Sequence, residues 1–415
     1  MLNPHLGFLK LNPAPISTKP DLSKLVANTI SQKRPFANFD NINLTLDQIN
    51  HAHSIVDFKV KYIVILGIGG SSLGAKTLVE TLARPGLINR KVFFIDSVDP
   101  DTISYVDNNI VYQNTLFFVV SNSGNTIETL AQAHYFLNRA QGASCQVSKQ
   151  FHFILGTSES ELFKLSLKHD CPVFNWPENI CGRFSMFSIA SLLPASFAGV
   201  DAKSILQHAA KLNLKYTIDN AEINSALNLA SKYHDYLVAG FNELVLFCYA
   251  DKLQCFGQWA VQLISESLGK SDLAPTPIVA RGVTDQHSSL QLFKQGPNNK
   301  FFLFIYPDQF TTDNLKIAPA YSKIPNYLDS ETFQRLHLFE MQGTVQSLIE
   351  AQRPVATMSL DDFQDHQVVS LGMFFMYFTF YLSELLNCNC FDQPGVEDSK
   401  KITKQLLINN NTYNA

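Results

Sequence analysis

Two stretches of this chain place glycines and hydroxyls directly behind a continuous apolar run. Gly67-Ile68-Gly69-Gly70-Ser71-Ser72-Leu73-Gly74 follows Tyr62–Leu66, and Ser121-Asn122-Ser123-Gly124-Asn125-Thr126 follows Leu116–Val120, with Glu128 just beyond. Backbone N–H groups and hydroxyls at a strand-to-helix turn can hold an anion. The first loop fails both well-known glycine tests. Ser72 stands where the dinucleotide fingerprint needs its last glycine, and Ala75 stands where the P-loop needs lysine, Lys76 coming one place late. NAD and ATP thereby lose their usual supports. Taken alone, this loop is equally a tight turn that lets a helix pack on a strand. The second loop sits at the C-terminal end of a buried strand, where open α/β sheets bind ligands. One such loop could be ordinary N-capping; two in one half-sheet point to an anion site. Hydroxyls and amides without lysine suit a monophosphate better than a triphosphate with its metal.

Acid, base and fixed-charge candidates come later in the chain. Arg183 lies in Cys181-Gly182-Arg183-Phe184-Ser185, and Glu266 in Ile264-Ser265-Glu266-Ser267-Leu268-Gly269-Lys270 near a predicted helix end. His287 lies in Arg281-Gly282-Val283-Thr284-Asp285-Gln286-His287-Ser288-Ser289, and Lys400 closes Phe391-Asp392-Gln393-Pro394-Gly395-Val396-Glu397-Asp398-Ser399-Lys400. Singly, each reads as a solvated or incidental side chain. By residue type alone the chemistry stops at an α/β enzyme acting on a phosphorylated metabolite.

The elements that must position these groups follow a βαβ rhythm. Strands are predicted at Tyr62–Leu66, Val92–Ile95, Leu116–Val120 and Phe151–Leu155, with helices at Leu73–Leu82 and Thr129–Leu137. A second series has strands at Glu243–Tyr249, Pro277–Ala280 and Phe301–Tyr306 and a helix at Gln258–Ser267. The stretch between the series, Asp201–Lys232, is helical in pattern. Parallel sheets covered by helices are the architecture this rhythm implies. The expected division is 1–200 for an N-terminal segment and first domain with the phosphate loops, 201–386 for a second domain, and 387–415 for a C-terminal arm carrying Lys400.

Composition narrows the classes. With 46% hydrophobic and 16% charged residues over 415 positions, the chain is globular rather than disordered. A net charge of −4 argues against nucleic acid as the main partner. Val368–Leu386 is the most apolar stretch, but Ser370, Gly372, Thr379, Ser383 and Glu384 interrupt it, so a buried helix rather than a membrane span is expected. Pro4, Pro13, Pro15 and Pro20 crowd the first twenty residues without an apolar signal core, so secretion is not expected. Seven thinly spread cysteines fit reduced thiols in a cytoplasm, and the Cys388/Cys390 pair lacks a second pair at zinc-site spacing.

Taken in order, GIGGSSLG at Gly67–Gly74, SNSGNTIET at Ser121–Thr129, GRFSMFS at Gly182–Ser188, ESLGK at Glu266–Lys270 with TDQHSSLQLFKQG at Thr284–Gly296, and FDQPGVEDSK at Phe391–Lys400 resemble the phosphoglucose isomerase family in its shorter bacterial form. The resemblance implies two sugar isomerase (SIS) domains, each a mainly parallel sheet between helices in an αβα sandwich, with a C-terminal helical arm. It implies reversible interconversion of glucose 6-phosphate and fructose 6-phosphate through ring opening and a cis-enediol, as in glycolysis and gluconeogenesis, with no metal or organic cofactor. Carried over by motif, Ser71, Ser121, Ser123 and Thr126 hold the phosphate, and Gln262 and Gln393 contact the sugar. Arg183 stabilises charge, Glu266 is the isomerisation base, and His287 and Lys400 act in ring opening. The histidine reaches the site from the partner subunit, which implies a homodimer.

The chain departs from the family pattern at several places. Asn122 replaces a basic residue, so weaker charge neutralisation and a higher KM are expected. Leu268 stands where Asn is common, Pro394 replaces a Trp, and Asp398-Ser399 replace Leu-Gly. With Lys401 following Lys400, spacing favours Lys400 as the lysine that enters the site. Two other readings remain: a non-catalytic SIS module that senses a phosphosugar, and a dual-specificity enzyme that also isomerises mannose 6-phosphate.

Overall fold

A strand buried on both faces can afford no polar side, and the apolar runs obey that rule. The computed structural model describes residues 6–7, 35–37, 39, 42–82, 90–177, 179–218, 223–312, 315–318 and 324–413. The four N-terminal prolines on which the secretion expectation rested lie outside them. The described strands are β1 (Leu6–Gly7), β2 (Tyr62–Leu66), β3 (Lys91–Ile95), β4 (Thr115–Ser121), β5 (Phe151–Leu155), β6 (Val173–Asn175), β7 (Glu243–Cys248), β8 (Thr276–Arg281), β9 (Lys300–Pro307) and β10 (Val355–Leu360). The first sheet runs β3-β2-β4-β5-β6 and is parallel throughout. Every residue of β4 is buried, as its run Thr-Leu-Phe-Phe-Val-Val-Ser requires. The second sheet runs β1-β10-β9-β7-β8; β7, β8, β9 and β10 are parallel, and β1 adds an antiparallel edge to β10.

The helices that matter for the site are α1 (Leu73–Leu82), α2 (Ile127–Gly142), α3 (Ile189–Phe197), α4 (Ala202–Lys215), α5 (Ser225–Val238), α6 (Gln254–Leu268), α7 (Asp365–Leu385) and α8 (Glu397–Tyr413). The stretch predicted as helical between the two series is α4 and α5. The apolar segment at 368–386 is α7, which is long and apolar enough to cross a membrane by length and composition, yet its most apolar 18-residue window is 89% buried inside the protein. α7 packs against α4, α5 and α6. Its side chains Phe374 and Phe378 share one core cluster with Ile63 and Phe118 of the first sheet and Leu246 and Phe301 of the second. Burial of each such side chain contributes roughly 1.5–3 kcal/mol; the two sheets share this central core, and each has a second buried cluster on its other face, around Phe117 and Phe153 in the first and Phe247 and Phe304 in the second. α6 packs on α1, where Thr77 Oγ1 donates to the Cys255 carbonyl at 3.1 Å and Thr81 Oγ1 to the Lys252 carbonyl at 3.2 Å. In β5, His152 is wholly buried among Phe118, Phe174 and Phe197, and burial pushes its pKa down to about 4, so it serves the core as a neutral ring.

Candidate active site

Parallel pairing sets the two hydroxyl loops side by side, because β2 and β4 are neighbours with Leu66 opposite Val119. After β2 the chain turns at Gly69 with φ +56°, a left-handed conformation that suits glycine. Gly69–Ser71 form a 3₁₀ turn, Ser71 N–H donates to the Ile68 carbonyl at 3.1 Å, and α1 starts at Leu73. A Cβ on Gly70 would lie 2.2 Å from the Gly182 carbonyl carbon, and Ser185 Oγ donates to the Gly70 carbonyl at 3.0 Å. This loop is therefore a packing junction as well as a row of N–H groups: it locks the segment that carries Arg183.

After β4, Ser121 Oγ accepts from Gly124 N–H at 3.1 Å and lies 3.0 Å from Thr126 Oγ1. Ser123 Oγ accepts from Asn125 N–H at 3.3 Å and lies 3.4 Å from the same Thr126 hydroxyl. Thr126 stands at the N-cap of α2, but its side chain caps no helical N–H. Three hydroxyls thus converge at a helix N-terminus, where the helix dipole favours an anion. Asn122, at the place of the family's basic residue, instead donates from Nδ2 to the Ile180 carbonyl at 3.4 Å.

Arg183 is 1% exposed, and its guanidinium makes five hydrogen bonds. Nε donates to Ser267 Oγ at 2.9 Å. Nη1 donates to Glu266 Oε2 at 3.2 Å and to Gln393 Oε1, and Nη2 donates to the carbonyls of Cys390 at 2.6 Å and Asp392 at 3.1 Å. A buried charge demands this degree of pairing. The Arg183 carbonyl itself accepts from Trp259 Nε1 at 3.2 Å. Gln262 and Glu266 lie four residues apart on one face of α6, and Gln262 Nε2 donates to Glu266 Oε1 at 2.8 Å. Both Glu266 oxygens are therefore held. Gln262 Oε1 is buried without a hydrogen-bond partner among the described residues, an open acceptor for a ligand hydroxyl.

Among the described residues, neither His287 nor Lys400 has a hydrogen bond or ion pair with Arg183, Gln262, Glu266 or Gln393. His287 ends the Thr284–Gln286 turn, is exposed, and has no side-chain bond among the described residues. Lys400 lies on exposed α8, 2.8 Å from Glu397, and its neighbour Lys401 lies 4.0 Å from Asp398. Ser267, Lys270 and Asp392 lie within the motifs, and Cys390 within the Cys388/Cys390 pair, without any of the four carrying a role in the sequence. Two of the four act on Arg183 through backbone carbonyls, which no residue type announces. The i, i+4 spacing of Gln262 and Glu266, by contrast, is a signal any helix prediction carries.

Comparison with known proteins comes down on one side. A family model described as phosphoglucose isomerase matches residues 51–414. A protein of Methanococcus maripaludis named probable glucose-6-phosphate isomerase is 30% identical over 413 residues, which is 98% of this chain and 93% of that protein. Among solved structures, a hypothetical protein of Thermus thermophilus superposes with TM-score 0.85 at 28% identity, covering 93% of this chain and 94% of that one. A glucose-6-phosphate isomerase of Chlamydia trachomatis superposes with TM-score 0.78 at 21% identity over 92% of this chain and 77% of that one, a likeness of fold.

Proposed function

The chain belongs to the phosphoglucose isomerase family, and from that premise we propose how its residues carry the reaction. It is an aldose–ketose isomerase of glucose 6-phosphate and fructose 6-phosphate, and its two helix-flanked parallel sheets are of SIS type. Ser71, Ser121, Ser123 and Thr126 bind the phosphate. That remote anchor holds C1 and C2 of the sugar at the α6 face, so phosphate binding energy is spent on orientation. Gln262 Oε1 and the Gln393 amide take the sugar hydroxyls. Glu266 removes the proton from C2 of the open-chain aldose and returns it to C1 of the cis-enediol, one carboxylate serving both carbons.

The observation that carries this reading is the occupancy of Arg183 Nη1, shared between Glu266 and Gln393. As Glu266 takes the proton it loses its charge, and the negative charge moves to the enediolate oxygen. An enediolate oxygen formed beside Glu266 would meet the same guanidinium, so the charge that leaves the carboxylate would keep its pairing with Nη1. Ring opening needs a proton taken from the C1 hydroxyl and one given to the ring oxygen. His287 and Lys400 serve there, histidine being the side chain suited to exchange protons near neutral pH. Since neither touches the Glu266 cluster within one chain, the active unit is a homodimer in which the partner subunit supplies the histidine. A cytoplasmic location suits seven free cysteines.

The test is a coupled assay in which purified protein converts fructose 6-phosphate to glucose 6-phosphate in the presence of EDTA. Turnover above ~1 s⁻¹ is expected. Tight binding of the sugar phosphate without turnover would move the chain to the sensor reading.

A further inference from the structure

Arg183 is gripped by the segment that runs from Cys390 to Gln393, and that segment is itself fastened at two points. On one side Phe391 packs against Phe36, Phe184 and Phe380, with ring centroids 6.3, 5.5 and 6.1 Å apart. On the other side stands Lys270, two residues beyond the end of α6. Its Nζ donates to the Asp392 carbonyl at 2.6 Å, pairs with Asp392 Oδ1 at 2.9 Å and reaches the Glu266 carbonyl at 3.3 Å. The Glu266 carbonyl is one of the last four of its helix, which lack helical partners and attract a cation. The Asp392 carbonyl is shared, since it also accepts from Arg183 Nη2 at 3.1 Å. One ammonium therefore touches the backbone of the base and the same oxygen that orients the guanidinium. The hydrogen bond from Lys270 also holds the Asp392 carboxyl below the usual carboxylate range.

We propose that Lys270 and Asp392 are a positioning pair for the proton transfer, a clasp that fixes the 390–393 segment on the end of α6 and so sets Arg183 and Gln393 relative to Glu266. The clasp touches neither hydroxyl loop, so it governs turnover and leaves phosphate binding alone. It rests on the isomerase reading above.

Lys270→Met, Asp392→Asn, the double variant and Lys270→Arg test it by steady-state kinetics on fructose 6-phosphate. Lys270→Met is expected to lower kcat about 10- to 100-fold, the cost of a small misplacement, while KM moves less than about 2-fold. Asp392→Asn keeps the backbone carbonyl and is expected to lose less. The double variant should be no worse than Lys270→Met, as for residues that act as one unit. Lys270→Arg should return kcat to within about 3-fold of wild type, since its fork can still reach both acceptors. A Lys270→Met enzyme with wild-type kcat overturns the clasp. So does a fall in kcat that merely tracks lost folded protein, or one that Lys270→Arg fails to restore. If the wild-type protein itself shows no turnover, the isomerase reading falls first, and with it the clasp.

Discussion

At the scale of single residues the proposed reaction is a charge that changes hands. Glu266 is held by Gln262 at 2.8 Å and by Arg183 at 3.2 Å, and neither bond needs the carboxylate to be anything more than an acceptor. Glu266→Gln keeps one acceptor oxygen for Arg183 and turns the other into an NH2, which Gln262 can meet by presenting its Oε1 instead of Nε2; it removes the carboxylate charge and the capacity to take a proton. We expect kcat to fall by about 10²- to 10⁴-fold, the usual worth of a general base. Glucose 6-phosphate binding by calorimetry should stay within about 3-fold, because the phosphate loops are untouched. Turnover near the wild-type rate in this variant would take the base assignment away from Glu266.

At the scale of elements, the site depends on turns that let backbones meet. Gly70 and Gly182 press together, and a Cβ on Gly70 would lie 2.2 Å from the Gly182 carbonyl carbon. No side-chain rotation relieves a clash between backbones, so Gly70→Ala must part the β2 turn from the segment that carries Arg183. We expect a loss of about 1–3 kcal/mol of stability in urea melts together with a lower kcat. Gly142→Ala, at the exposed end of α2, is the control, since a Cβ there meets nothing within 4 Å, and it should be neutral or slightly stabilising. Equal effects of the two substitutions would refute the junction. The elements themselves were legible to different degrees. β2 and β5 have the bounds their apolar runs predict, and α1 starts and stops at Leu73 and Leu82 as read. β6 is only three residues long, and β10 mixes Thr and Ser among its apolar residues, so neither shows a run or a clean alternation. In the site, Glu266 and Gln262 announce themselves by helical spacing once a helix is drawn. The Cys390 and Asp392 carbonyls have no such signature, because any residue supplies one and only the path of the chain aims it. His287 and Lys400 are candidates by residue type like Glu266, but only the family resemblance gives them a role, because no helical spacing ties either of them to the Glu266 cluster.

At the scale of the whole molecule, a single chain leaves His287 and Lys400, the two residues proposed for ring opening, exposed. α8 carries Lys400 and exposes Ile402, Leu406, Leu407 and Ile408, each about half accessible. Beside exposed His287 lies a groove of ≈ 350 Å³ lined by Gln286, Leu290, Leu336, Phe339 and Glu340. Apolar surface of this kind on the element that bears Lys400, proposed for ring opening, is what a subunit contact would cover. If the proposed dimer delivers His287 into the partner's site, defects in Glu266 and His287 must complement. Glu266→Gln and His287→Ala homodimers should each be nearly inactive. Unfolded together and refolded, they re-sort at random, and about half of the dimers become mixed. Each mixed dimer holds one site with both groups intact and one with neither, so the mixture should recover about a quarter of the wild-type specific activity. A site contained within one chain predicts no recovery at all, because no chain in the mixture carries both residues. The rate after mixing therefore separates a shared site from a private one, whichever residue proves the weaker catalyst.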